Sequence, residues 1–128
     1  MRINTRLVAV LGVVFLWALK AEAADATGKW RAEFESPVGV QKYTYELKVE
    51  GAKVTGKASF ERMGEKGEVE LKDGKIAGDD ISFTEMLDFQ GNQVAITYTG
   101  KVGADEIKFT RNVGDFGSEA LVAKRVKD

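Results

Sequence analysis

Composition and charge exclude several classes of function before any motif is considered. The chain has 128 residues and a net charge of -1, from 19 lysines and arginines against 20 aspartates and glutamates, so it offers no basic surface for nucleic acid or an anionic membrane. It contains no cysteine and no histidine, which excludes disulfide bonds, Ser-His-Asp and Cys-His catalytic systems and typical zinc sites. Only carboxylates, lysines and tyrosines remain for acid–base chemistry, and no cofactor is expected.

Residues 1–23 have the pattern of a secretory signal peptide. Arg2 and Arg6 give a positive start, residues 7–19 form an apolar run, and the segment ends in the small-x-small cleavage sequence Ala-Glu-Ala. This apolar run is too short to cross a bilayer core of about 30 Å as a helix. We therefore predict that the segment is removed, that no stable membrane anchor remains, and that residues 24–128 form one secreted or periplasmic domain.

From Gly28 onward, apolar and polar residues alternate between short turn sequences, which is typical of β-strands. We predict eight strands joined by short loops, each with one apolar face. The last strand, about residues 119–126, has apolar residues on both faces, so its inward side stays open. In the other strands the apolar face is formed by Trp30, Ala32 and Phe34; Tyr43, Tyr45, Leu47 and Val49; Val54, Gly56, Ala58 and Phe60; Val69 and Leu71; Ile81, Phe83, Glu85, Leu87 and Phe89; Val94, Ile96, Tyr98 and Gly100; and Ile107, Phe109, Arg111 and Val113.

A repeat in the second half of the chain supports a hairpin meander. Residues 74–84 return as residues 100–110, with identical residues at six of eleven positions. Such a repeat is typical of a duplicated β-hairpin. We place a loop at residues 62–67 and a turn at Asp73-Gly74, ahead of the first copy. An eight-stranded antiparallel up-and-down meander hides its apolar faces most simply by closing into a barrel without free edges, and an open β-sandwich is the alternative.

A Gly-x-Trp motif and a distant arginine resemble the calycin pattern. Gly28-Lys29-Trp30 opens the first strand, and Arg125 lies near the end of the last one. In lipocalins, and similarly in fatty-acid-binding proteins, such an arginine covers the tryptophan at the closed end of the barrel. The resemblance therefore implies a calycin-like barrel closed by Trp30 and Arg125. Avidin-like barrels also begin with Gly-x-Trp, but their ligand contacts are not found in this sequence, so biotin binding is not implied.

The region after the signal peptide is also similar to small secreted bacterial β-proteins that resemble modules of glycoside-hydrolase-associated proteins. This resemblance implies a carbohydrate context and assigns no catalytic residue. The short motifs that carry this resemblance lie at residues 28–30, 47–51, 73–75, 81–84 and 123–125.

Glu85 and Arg111 are charged residues on predicted apolar faces, and they occupy equivalent positions directly after the two copies of the repeat. Tyr98 lies on the strand between them and should face Arg111. Together with Tyr43 and Tyr45, these residues could line a polar patch that orients a ligand's hydroxyl or carboxylate. The favoured interpretation of Glu85 and Arg111 is an internal ion pair that satisfies two buried charges, or a strand end where both charged groups reach water.

Acidic residues in the hairpin turns and one loop phenylalanine each have a functional and a structural interpretation. The acids could bind calcium or form a glycosidase pair, but adjacent acids in turns are more often solvated turn formers, and no metal site is expected. Phe116, in a glycine-flanked loop, is expected to fold over the barrel mouth, and an exposed contact is the alternative. The acids are Asp79, Asp80, Asp105 and Glu106.

The sequence supports three functional hypotheses. The first is a non-catalytic barrel that binds a small, partly apolar ligand, lined by Tyr43, Tyr45, Glu85, Tyr98 and Arg111. The second is a carbohydrate-related module or a weak glycoside hydrolase that uses carboxylates such as Glu85. The third is a structural envelope protein whose solid barrel contacts a protein partner. The expected ligand is accordingly a small apolar molecule or a carbohydrate, and nucleic acid is not expected as a partner.

Overall fold

The computed structural model describes residues 24–37 and 39–127, so the predicted signal peptide lies outside the described residues. All regular structure in these two ranges is β-strand. In the same ranges, no helix has the length and apolar character needed to cross a membrane. The strands in chain order are β1 (Gly28–Ser36), β2 (Gly39–Glu50), β3 (Lys53–Arg62), β4 (Glu65–Glu70), β5 (Lys72–Ala77), β6 (Asp80–Phe89), β7 (Asn92–Val102), β8 (Glu106–Val113) and β9 (Gly117–Arg125).

Eight of the described strands close into an antiparallel barrel. The ring order is β1, β2, β3, β5, β6, β7, β8 and β9, and β9 pairs back with β1 through Trp30↔Arg125 and Arg31↔Lys124. The remaining strand, β4, pairs with β3. The prediction of a closed eight-stranded meander with a calycin-like shape is therefore confirmed, and the described strands do not form the alternative open sandwich.

The stretch between β3 and β6 differs from the sequence prediction. The predicted turn at Asp73-Gly74 is wrong, because both residues lie inside β5 and the chain turns at Gly78 and Asp79 instead. The register of β5 on β6 shifts between Lys72↔Thr84 and Lys75↔Ser82, so two residues of β5 stand opposite one residue of β6. Asp73 takes a φ of 52° at this position. The Asp-Gly pair therefore forms a β-bulge within β5, just after the break at Leu71 that separates β4 from β5.

Beyond the break between β4 and β5, one seam of the barrel wall lacks hydrogen-bonded pairing between neighbouring strands. The β5–β6 ladder extends only as far as Lys72↔Thr84, and among the described residues β4 forms ladder pairs with β3 alone. Residues 85–89 of β6 pair with β7 on their other side. The wall between β4 and β6 is therefore not joined by hydrogen-bonded strand pairing toward the end of the barrel where β1 ends.

Trp30 closes the end of the barrel where β1 begins. Its ring is fully buried, its Nε1 donates a hydrogen bond to the carbonyl of Ala26 at 2.9 Å, and the guanidinium of Arg125 lies 4.2 Å from the ring centroid. We call this the closed end, and we call the end formed by the β1–β2, β3–β4, β6–β7 and β8–β9 connections the open end. Arg125 ties the closed end together through hydrogen bonds of 2.9 to 3.1 Å to the carbonyls of Asp25, Thr27 and Ala104.

The structure assigns the inward face of the last strand, which the sequence left open. In β9, Leu121 and Ala123 are buried, whereas Val122 is 40 % exposed. The reason is the register against β8, where Leu121 stands opposite Phe109 and Ala123 stands opposite Ile107. Because residues paired across antiparallel strands share a face of the sheet, the buried side of β8 determines the buried side of β9.

The bulge in β5 predicts opposite effects for two neighbouring substitutions. Gly74→Ala would push a Cβ atom into the carbonyl oxygen of Val54, so we expect the free energy of unfolding to fall by about 1–3 kcal/mol. Asp73→Gly removes a non-glycine residue from a φ of 52°, so stability should stay unchanged or rise by up to about 1 kcal/mol. Urea denaturation measures both effects, and equal losses at the two positions would contradict the bulge.

Candidate functional site

Polar side chains from six strands meet inside the barrel next to the open end. Five of them are the residues that the sequence analysis selected as ligand-binding candidates. The other two are Arg62 of β3 and Glu119 of β9. We call the seven residues the polar network: Tyr43, Tyr45, Arg62, Glu85, Tyr98, Arg111 and Glu119.

Strand register and closure of the ring bring the network together. On β7, Tyr98 stands opposite Phe83 on one side and opposite Arg111 on the other, as the alternation of the strands predicts. Arg111 in turn stands opposite Glu119 of β9. Tyr43 and Tyr45 project from β2, which lies across the ring from β6 and β7. Their contacts with Glu85 and Tyr98 therefore cross the interior of the barrel.

Glu85 is the buried centre of the network. It is 0 % exposed, and each of its carboxylate oxygens accepts a hydrogen bond from a phenol: Tyr43 donates to Oε2 at 2.8 Å, and Tyr98 donates to Oε1 at 2.9 Å. The Nη1 atom of Arg62 lies 3.6 Å from Oε2 and donates to the Tyr43 hydroxyl at 2.8 Å. These partners replace the water that the carboxylate loses on burial, which an apolar interior alone could not do.

Arg111 links the buried tyrosines to the acid at the rim. Its Nε donates to the Tyr98 hydroxyl at 3.0 Å, its Nη2 donates to the Tyr43 hydroxyl at 3.1 Å, and its Nη1 donates to Oε1 of Glu119 at 2.7 Å. The hydroxyl of Tyr45 donates to that of Tyr98 at 3.0 Å. The phenol oxygens of Tyr43 and Tyr98 thus accept from cations and donate to Glu85, and so connect the opposite charges of the network.

Burial keeps the three phenols protonated and able to donate. Desolvation raises the pKa values of Tyr43, Tyr45 and Tyr98 above the ordinary value of 10.0, and the negative charge of Glu85 raises them further. Burial alone would lower the pKa of Arg111, but its interactions with Tyr98, Tyr43 and Glu85 outweigh desolvation and raise it. The three phenols and Arg111 therefore keep their protons, and can donate hydrogen bonds, throughout the neutral pH range.

The sequence analysis missed two members of the network. The sequence analysis assigned Arg62 to a loop at residues 62–67. In the structure β3 extends to this residue, and Arg62 faces inward, two positions after Phe60. One further step of the period-two alternation would have found it. Glu119 had no such signal, because its face follows only from its pairing with Arg111.

Gln41 lies beside the network and was also missed. It faces inward between Phe34 of β1 and Arg62 of β3, and it is only 5 % exposed. Its Nε2 donates to Oγ of Ser36 at 2.8 Å, but its Oε1 accepts no hydrogen bond from the described protein atoms. Because buried acceptors are nearly always hydrogen-bonded in folded proteins, this oxygen is a candidate contact for a bound molecule.

The interior on the closed-end side of the network is filled with aromatic rings. Tyr45, Phe83, Tyr98 and Phe109 all contact one another, with ring centroids 4.8 to 6.0 Å apart. Two depressions of about 530 and 390 Å³ lie over β5–β7 and over β2–β4, and no residue of the network lines either one. A molecule that contacts the network would therefore bind at the open end rather than deep in the barrel.

The acids of the hairpin turns lie at the closed end, away from the network. They form ion pairs with neighbouring lysines on exposed surfaces, at N–O distances of 2.5 to 3.6 Å. Within the part of the chain that the structure describes, no group of three or more acidic side chains converges as a metal site requires. The pairs are Asp79 and Asp80 with Lys101, Asp105 with Lys127, and Glu106 with Lys124.

The expectation that Phe116 folds over the mouth is wrong. Its side chain is 74 % exposed, and Met63 on the β3–β4 turn is 73 % exposed at the same end. Phe116 lies in a tight turn between β8 and β9, in which its N–H donates to the carbonyl of Val113 at 2.8 Å. The open end therefore presents two exposed apolar side chains, which project from separate loops.

Comparison with known proteins assigns no family to this arrangement. No protein-family model, no curated protein and no solved structure gives a significant match to the chain. The interpretation of the site therefore depends on its own geometry.

Removal of Arg111 should be far more damaging than removal of an exposed cation from the same strand. Arg111→Met would remove one hydrogen bond each from Tyr43, Tyr98 and Glu119 and take away a buried cation that balances the carboxylates, so we expect the free energy of unfolding to fall by about 3–5 kcal/mol. Lys108→Met, on the exposed outer face of β8, should change it by less than about 0.5 kcal/mol. Denaturant unfolding of both variants measures the difference, and similar small changes would show that the network contributes little.

The raised pKa values of the tyrosines predict loss of stability at alkaline pH. The chain has three tyrosines, and all of them belong to the network. Their stabilising contribution is fully present below about pH 10 and is lost as the pH rises above the ordinary value of 10.0, because the unfolded chain then releases protons that the folded chain retains. Tyrosinate absorbance should thus appear only together with unfolding, as seen by circular dichroism. In guanidinium chloride, the same residues should titrate near the ordinary value. Tyrosinate formation near pH 10.0 in a folded barrel would contradict the prediction.

Proposed function

We propose that the protein is a secreted or periplasmic, non-catalytic binding barrel that holds a small, partly apolar molecule at its open end. The observation that supports this most directly is the concentration of inward-facing polar groups at one end of an otherwise apolar barrel. At this end Arg62 and Glu119 remain partly accessible, with side chains 19 % and 18 % exposed. The predicted signal peptide supports the location.

The accessible groups form the contact surface in this proposal. Arg62 is held in place by the Tyr43 hydroxyl and by the ring of Phe60, whose centroid lies 3.8 Å from the guanidinium carbon. A cation oriented in this way can bind a ligand without a large loss of side-chain entropy. The seam between β4 and β6 lies at the same end of the barrel as this surface.

The carboxylates of the network already accept hydrogen bonds from other side chains, which favours binding over catalysis. A glycosidase needs one carboxyl group to donate a proton and a second one about 5 to 10 Å away to act as base or nucleophile. Both oxygens of Glu85 already accept hydrogen bonds from phenols, and Glu119 is bound to Arg111. Neither group is therefore poised to transfer a proton to a substrate.

A structural role is the second candidate, and one observation favours it. The members of the network satisfy one another, and aromatic rings fill the interior beside them. A barrel that is solid in this way needs no ligand, and an envelope protein of this kind would act through its outer surface.

Native mass spectrometry of the protein secreted by its own kind of host distinguishes the two candidates. We expect a stoichiometric small molecule, which denaturing extraction releases for identification. Arg62→Met should weaken its binding by about tenfold or more, because the ligand loses a charge-assisted contact. Arg31→Met, on the exposed outer face of β1, is the matched control and should retain the molecule.

A bare mass would favour the structural role. If wild-type protein carries no molecule and also binds none from lipid and oligosaccharide mixtures, the binding proposal is withdrawn. The same conclusion follows if Arg62→Met and Arg31→Met lose the molecule equally, since binding would then not involve the open end.

A further inference from the structure

We infer that the open end selects an uncharged amphiphile whose head group donates a hydrogen bond, as an alcohol or a primary amide does. This inference rests on the proposed function and specifies the chemistry of its ligand. Three features of the open end carry it: the unpaired acceptor of Gln41, the balance of charges in the polar network, and the apolar side chains around both.

The orientation of the Gln41 amide is fixed by its neighbours. Its Nε2 donates to Oγ of Ser36 at 2.8 Å, and that hydroxyl donates to the carbonyl of Gly39 at 3.0 Å. With its proton used in this way, the Ser36 oxygen must act as acceptor toward Gln41, so the amide keeps its N–H₂ group on that side. The Oε1 atom thus remains an acceptor, and only a hydrogen-bond donor can satisfy it.

The charges of the network leave no surplus for a charged head group. Arg111 lies 2.7 Å from Glu119, and Arg62 lies 3.6 Å from Glu85, so two cations face two anions. A carboxylate ligand would compete with Glu85 or Glu119 for an arginine and add an unbalanced negative charge to a partly buried site. An ammonium ligand would add an unbalanced positive charge. A neutral head group avoids both costs.

Apolar side chains lie at the same end of the barrel as Gln41. Phe34 stands opposite Gln41 in the β1–β2 ladder and packs against the core. Met63 and Phe116 project from loops at the same end, with 73 % and 74 % of their surface exposed. A molecule whose head reaches Gln41 would place its body against these side chains and remove their apolar surface from water.

Four probes with the same octyl chain test the inference. They are octanol, methyl octyl ether, octanoate and octylammonium, and binding is followed by nuclear magnetic resonance through the side-chain amide signals of Gln41 in isotope-labelled protein. Octanol should bind about tenfold or more tightly than the ether, because the ether leaves the buried acceptor unpaired. It should also bind more tightly than either charged probe.

Two glutamine variants show whether Gln41 is the contact. In Gln41→Met, followed through backbone amide signals, the preference for octanol over the ether should disappear. The fold should persist, because methionine fills a similar volume and removes an unpaired buried acceptor; an unchanged melting temperature verifies this. Gln93→Met, at an exposed position of β7, is the matched control and should retain the preference.

The outcomes separate this inference from the proposed function. Equal binding of octanol and ether, tighter binding of octanoate or octylammonium, or a preference that survives in Gln41→Met overturns the head-group inference while leaving a binding site at the open end. Failure of all four probes to bind also overturns it. The proposed function is then judged by the molecule that accompanies the secreted protein.

Discussion

A fully buried carboxylate is the constraint on which the interior depends. Glu85 projects from β6 into the barrel, where an unpaired charge would cost several kcal/mol. Its two hydrogen-bond donors are Tyr43 of β2, across the barrel, and Tyr98 of the neighbouring strand β7, and Arg111 of β8 binds both phenols. No two neighbouring strands contain all of these groups. Both oxygens of Glu85 therefore gain their donors only when β2 lies across the barrel from β6, which couples opposite walls of the barrel to one another.

The two ends of the barrel differ in how their charged side chains are paired. At the closed end, one arginine covers the ring of Trp30 and uses its remaining donors on backbone carbonyls, so the end is sealed by contacts that leave little polar surface free. At the open end, Arg62 and Arg111 pair with Glu85 and Glu119, and the side-chain oxygen of Gln41 has no hydrogen-bond partner among the described residues. The first end is thus closed by an arginine that covers an aromatic ring, and the second holds the ion pairs and the partly exposed polar groups.

Much of the fold could be predicted from the sequence because alternation and turn residues are local signals. Period-two counting placed Glu85, Tyr98 and Arg111 on inward faces, and the repeat related their positions. The bend in β5 could not be predicted in this way, since Asp-Gly suits a hairpin turn as well as a bulge, and only pairing with β3 decides between them. The unpaired oxygen of Gln41 depends on which groups surround it in three dimensions, and no local pattern encodes that arrangement.

The opposite charges at the equivalent positions of the repeat also distinguish its two copies during folding. Two hairpins of similar sequence can compete for the same place in a sheet. Arg111 faces Glu119 across the β8–β9 ladder. If the first hairpin took the place of the second, Glu85 would face Glu119, and two like charges directly opposite on neighbouring strands are destabilising. The difference between Glu85 after the first copy and Arg111 after the second thus disfavours a barrel in which the two hairpins have exchanged places.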